Sequence, residues 1–141
     1  MFGCGLPVLR FKTRPQFQAA LGGTTVARTA HFALHSAPLD VTSHEHPLPV
    51  FGVKDVWIGA LVPKRWAKRA VTRNTIKRQI YNVSSEMSLA LPRAAHLVRL
   101  RLGYDRAQFK SATSEELKRA VRAEVQLLLN KALGAGGGQG A

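Results

Sequence analysis

Residues 63–81 read PKRWAKRAVTRNTIKRQIY, and their reading decides the rest of the chain. Lys64, Arg65, Lys68, Arg69, Arg73, Lys77 and Arg78 place seven cations within fifteen residues, and the nearest acids are Asp55 before and Glu86 after. Cations this close repel one another and must be screened by solvent, salt or a polyanion. Ile76, Ile80, Val83 and Met87 follow the spacing of one buried helical stripe. On a wheel of about 3.6 residues per turn, Arg73, Asn74, Lys77, Arg78 and Tyr81 fill the adjoining arc. The pattern predicts a helix from near Ala70 to before Pro92, with Lys64 to Arg69 in a loop ahead of it. Pro63 fits that loop, because proline is costly inside a helix. One helix face then packs on a core while its neighbour shows cations to the exterior.

Working outward, residues 56–62 (VWIGALV) form a nearly continuous apolar run, as in a central strand. Residues 96–102 (HLVRLRL) alternate, with Val98, Leu100 and Leu102 facing one way and Arg99 and Arg101 the other. Strand, helix, strand in this order predicts parallel strands around the basic helix. Upstream, Thr13 and Gln16 form a T-x-x-Q capping box for a short helix with Pro15 in its first turn. Phe17, Ala20 and Leu21 give that helix one apolar side, and Gly22-Gly23 ends it. Residues 24–35 (TTVARTAHFALH) read as one long strand or two short ones, with Phe32 and Leu34 on one face and His31 and His35 on the other. Residues 36–54 read as a loop. Thr113 and Glu116 cap a last helix whose stripe is Leu117, Val121, Val125, Leu128 and Ala132. Residues 1–12 read as an irregular leader, 13–133 as a single domain, and the glycine-rich 134–141 as a flexible tail.

Composition narrows the chemistry. The chain has 141 residues, 45% of them hydrophobic, and a net charge of +13. That is enough for one real core, and the charge attracts polyanions at long range. No apolar run approaches the roughly 18 residues of a membrane span. The first residues lack the pattern of a signal peptide, and a cytoplasmic location is expected. The single cysteine, Cys4, excludes an internal disulfide. Only eight acids are present, and none forms a carboxylate pair suited to acid–base work or to holding metal ions. His44-Glu45-His46 lacks the further ligands of a recognised metal site, so no protein-held metal is expected. A stand-alone nuclease is not what these residues describe. A DNA-reading helix would need a supporting helix just upstream, where the strand VWIGALV stands instead.

Residues 59–78 (GALVPKRWAKRAVTRNTIKR) resemble the signature of the bacterial ribonuclease P protein subunit: a glycine-containing strand, two basic residues, a linker, then a helix carrying R-N-R-x-K-R. Gly59, Lys64, Arg65, Arg73, Asn74, Ile76, Lys77 and Arg78 carry the match. The sequence departs from it at Thr75, Tyr81 and Asn82, where the family usually has other, mostly basic, residues. Element order over residues 10–133 also follows the family. The resemblance implies an α+β domain, in the order helix, strands, basic helix, strand, helix, with a central mixed sheet and an unusual left-handed βαβ crossover. It implies an accessory subunit of an endoribonuclease whose RNA carries the catalysis and holds the magnesium ions. The partners implied are ribonuclease P RNA, bound through Lys64, Arg65, Lys68, Arg69, Arg73, Asn74, Lys77 and Arg78, and precursor tRNA. Phe17, Phe32 and His35 fall where the family forms its cleft for the 5′ leader of precursor tRNA, with Leu21 and His35 standing where aromatic rings are frequent. A structural RNA-binding protein of ribosomal type shares the charge but would not require that cleft.

Overall fold

A computed structural model describes residues 8–39, 42–43, 46–49, 51, 55–104 and 115–139, with the main chain alone at 42–43, 46–49 and 134–139. Five strands form one mixed sheet, in the order β1-β6-β7-β3-β2. β2 (Thr24–Arg28) and β3 (Phe32–Ala37) are an antiparallel hairpin. β3 pairs antiparallel with β7 (Ala95–Leu100), with His35 opposite Leu97 and Ala33 opposite Arg99. β6 (Trp57–Leu61) runs parallel to β7, as the strand–helix–strand order predicts. β1 (Leu9–Arg10) runs parallel to β6 at the edge, so the irregular leader expected over 1–12 contains a strand. Two residues are too short to show an alternation. β4 (Thr42–Ser43) and β5 (His46–Pro49) form a separate two-stranded pair within the stretch read as loop.

Side chains alternate across a strand, so the sheet has two buried faces. On one, Phe32, Leu34, Ile58, Ala60, Val98 and Leu100 meet the stripes of α2 (Ala70–Glu86) and α3 (Glu115–Gln139). Ile76, Ile80 and Val83 of α2 and Leu117, Val121, Val125 and Leu128 of α3 are buried here, and Met87 and Ala132 pack at the margin. On the other face, α1 (Arg14–Leu21) covers a smaller cluster of Phe11, Ala20, Ala37, Phe51, Trp57, Ala95 and Leu97.

Local signals account for the helix ends. The Gln16 side-chain oxygen accepts the backbone N–H of Thr13 at 3.1 Å and of Lys12 at 2.6 Å, fixing the start of α1. Gly22 follows its last residue, and its N–H returns to the Gln18 carbonyl at 3.0 Å. α3 does not stop at Gly134, where a flexible tail was expected; its backbone stays helical to Gln139. A helix already nucleated and docked gains a hydrogen bond with each further residue, which offsets part of the glycine penalty. Thr113, the expected cap, lies outside the described residues.

Candidate nucleic-acid interface

The linker between β6 and α2 is a defined turn. The N–H groups of Trp66 and Ala67 both donate to the Pro63 carbonyl at 3.1 Å. The Ala67 methyl is buried in the main core, and Trp66 packs against it. Arg69 is extended (φ −87°, ψ 135°) and serves as the residue before the helix, with no side-chain cap. Lys64, Arg65, Lys68 and Arg69 therefore stand exposed around one turn. On α2, Asn74 and Arg78 are exposed and Arg73 and Lys77 half-buried, while Ile76 and Ile80 face inward. The helical repeat sets Arg73, Asn74, Lys77 and Arg78 on the arc beside the buried stripe of α2, and the linker turn carries Lys64, Arg65, Lys68 and Arg69 just ahead of it.

No ion pair neutralises the seven cations among the described residues. Glu86, the nearest acid downstream, pairs with Arg122 of α3. Asp55 receives the backbone N–H of Val56 at 2.8 Å. Glu124 is engaged by Thr29, the His31 main chain and ring, and Tyr104, which all donate to it. The first turn of α2 contains no acid, so its free N–H groups add positive potential to the same surface.

Two departures from the motif acquire structural reasons. Thr75 is buried, and its hydroxyl donates to the Val71 carbonyl at 2.9 Å. Tyr81 lies beneath Arg10 of β1, whose guanidinium carbon stands 4.1 Å from the ring centroid, a cation–π contact. Burial pushes the Tyr81 phenol up, against smaller opposing effects of the Ala60 backbone and Arg10.

The second candidate surface is the α1 side of the sheet. Phe17 is half-buried, edge-on to Phe11 with ring centroids 5.2 Å apart. His35 lies on this side and is only 6% exposed. Arg99 Nε donates to His35 Nε2 at 3.1 Å, which leaves Nδ1–H to donate to Thr25 Oγ1 at 3.2 Å. Burial first, then the charges of Arg99 and Arg28, hold the imidazole below its ordinary pKa and keep it neutral. Phe32 requires a correction. It is 0% exposed and lies on the opposite face, in the core beneath α2 and α3 with Tyr104 beside it. Its odd-numbered separation from His35 along β3 makes that unavoidable, and no ring face remains for a base. The structure thus brings Phe17 and His35 to one side and removes Phe32. It adds Arg99 and Thr25 to the polar floor, which the sequence hid because strand register was not readable.

Fold and cation array together define an α+β domain with a strongly basic linker and helix. Comparison with known proteins makes the class specific. A family model of ribonuclease P matches residues 7–132. The chain is 36% identical over 110 residues to the ribonuclease P protein component of Bordetella parapertussis, covering 78% of this chain and 80% of that one. It is 34% identical over 119 residues to the Bordetella petrii protein of the same name, covering 84% and 87%. Among solved structures, Staphylococcus aureus RNase P protein superposes with a TM-score of 0.58 at 20% identity, covering 89% of this chain and 93% of that one. A second structure of that protein gives 0.60 at 20% identity, covering 90% and 91%. The chain belongs to the ribonuclease P protein family, the accessory subunit of a ribonucleoprotein endoribonuclease in which RNA carries the catalysis and the tRNA 5′ leader is removed.

Proposed function

We propose that the linker and the exposed side of α2 bind ribonuclease P RNA, while the α1 side of the sheet receives the 5′ leader of precursor tRNA. The observation that carries this is the unneutralised array of Lys64, Arg65, Lys68, Arg69, Arg73, Lys77 and Arg78, with Asn74 among them as a neutral hydrogen-bonding group. Phosphate contacts from such groups hold a structured RNA in register without reading its sequence. Phe17 supplies a ring on which a base of any type can stack, which suits a leader of variable sequence. Magnesium ions would be held by the RNA; among the described residues no cluster of three histidine, cysteine or acidic side chains could hold one. Among the same residues no helix is long and apolar enough to cross a membrane, and we place the particle in the cytoplasm.

Neutralising Lys77 and Arg78 together tests the first half. Each lost phosphate contact should lower the log–log salt slope of binding to ribonuclease P RNA by roughly 0.7 to 0.9. An unchanged slope would take α2 out of the interface.

A further inference from the structure

Four of the seven cations sit on the linker at residues 63–69, and a loop that must be ordered on binding loses affinity to that ordering. This linker is held at two points before any RNA arrives. Arg73 reaches back from the first turn of α2, and its Nη1 donates to the Ala67 carbonyl at 3.0 Å and the Lys68 carbonyl at 2.9 Å. Gly103, just after β7, lies so close beneath the linker that a Cβ there would meet the Trp66 carbonyl oxygen at 2.6 Å. One nitrogen therefore ties down two carbonyls of the turn, and a residue without a side chain lets the turn seat against the sheet.

We propose that Arg73 is a positioning residue, a latch that fixes where Lys64, Arg65, Lys68 and Arg69 stand, with Gly103 as the second pin. The proposal rests on the reading of the linker and α2 as the face for ribonuclease P RNA, and it reassigns Arg73 within that face. The sequence motif presents Arg73 as one more phosphate contact. The geometry commits one end of its guanidinium to the protein's own backbone, and the charge-assisted bonds it makes there are the strong kind. Lys77 and Arg78 have no such backbone partner among the described residues. The RNA then meets a cation array whose spacing is already set, which is how preorganisation converts contacts into affinity.

The test is a double-mutant cycle on the full chain, with ribonuclease P RNA as the probe and hydrogen exchange of the free protein as a readout that needs no RNA. Arg73→Ala should weaken RNA binding about tenfold, the scale of losing charge-assisted hydrogen bonds. In a background with Lys64, Arg65, Lys68 and Arg69 all changed to alanine, the same substitution should cost less than about twofold, because a latch acts only through what it holds. Without RNA, the Trp66 and Ala67 amides should exchange about tenfold faster in Arg73→Ala and be unchanged in Lys77→Ala. Gly103→Ala retains every cation and should also weaken binding by displacing the linker. Equal losses from Arg73→Ala in both backgrounds, with unaltered exchange, would overturn the proposal and return Arg73 to direct contact. Undiminished binding by the four-alanine variant would overturn the underlying reading of the face, and the proposal with it, even if the exchange result showed the latch.

Discussion

The ring of Phe11 lies directly on Gly59. A Cβ built at Gly59 would stand 2.4 Å from Cδ2 of Phe11, a separation real atoms do not adopt. The glycine in the middle of β6 is therefore a seat for an aromatic side chain from the segment joining β1 to α1. Phe11 then meets Phe17 edge-on and Phe51 at 5.1 Å, and Phe51 meets Trp57 at 5.3 Å. Gly59→Ala should destabilise the fold by about 1–3 kcal/mol through overpacking, measured by urea unfolding. It should also move Phe17, because the two rings touch. Wild-type stability in this variant would mean that the Phe11 ring is not confined.

Phe17 itself is partly exposed, so its loss should not resemble that of a core residue. Phe17→Ala should cost about 2 kcal/mol of stability, below the roughly 3–5 kcal/mol typical of a fully buried phenylalanine. Holoenzyme affinity for precursor tRNA should fall by about 1–3 kcal/mol, one stacking contact. Affinity for mature tRNA, which lacks the leader, should hold. Equal losses for both RNAs would return Phe17 to a purely structural role.

Glu124 ties the β2–β3 turn to α3. Its Oε2 accepts from Thr29 Oγ1 at 2.6 Å and the His31 N–H at 2.5 Å, and its Oε1 from His31 Nδ1 at 2.8 Å and the Tyr104 hydroxyl at 2.9 Å. His31 also stacks on Tyr104, with centroids 4.0 Å apart. Burial first, then the charge and hydrogen bond of Glu124, drives the Tyr104 phenol far up. Glu124→Ala leaves several donors without an acceptor and should cost about 1–3 kcal/mol or more. Thermal melts would show it, and an unchanged melt would mean that water replaces the carboxylate without loss.

Stability should fall with acidification in two stages. Burial, then Arg99 and Arg28, depress the pKa of His35. Burial depresses that of His96, and its bond to the Pro92 carbonyl offsets this only in part. Below the ordinary histidine value of 6.5, the unfolded chain takes up protons that the folded chain refuses, so stability present above that pH is lost as it falls. Glu124 adds a second stage. Burial raises its pKa, but the bonds from Thr29, His31 and Tyr104 outweigh this and hold it below 4.5. Stability from this carboxylate is present above 4.5 and lost as pH falls through the lower folded value. Urea midpoints should therefore decline from about pH 7.5 to about pH 5 and drop further below, with His96→Gln flattening the first stage. A flat profile over the first interval would contradict the histidine assignment.

How much of this was readable follows from where the signals lie. The α2 stripe was legible because Ile76, Ile80 and Val83 repeat with the helix period, and the same repeat placed Lys77 and Arg78 outward. The start of α1 was legible because Thr13 and Gln16 are a local pair. β1 was not, since Leu9 and Arg10 are a strand only because β6 lies beside them. Phe11 and Phe51 join a second core through tertiary contact alone, and nothing around either residue announces it. The role of Glu124 was not legible, because its partners Thr29 and His31 are more than ninety residues away. Arg73 read as a contact because a sequence shows a charge and not the carbonyls it faces. Phe32 was offered to the leader although alternation already set it opposite His35, and there the resemblance outweighed the pleat.

The most direct test of the central claim is cleavage of precursor tRNA by ribonuclease P RNA with and without this protein, alongside the protein freed of RNA by nuclease pretreatment. The account predicts no cleavage by the protein alone. It predicts a higher kcat/KM for leader-bearing precursor when protein is added to the RNA, with the gain reduced in the Lys77→Ala/Arg78→Ala variant. Specific cleavage by the RNA-free protein, or no effect of the protein on the RNA's reaction, would contradict it.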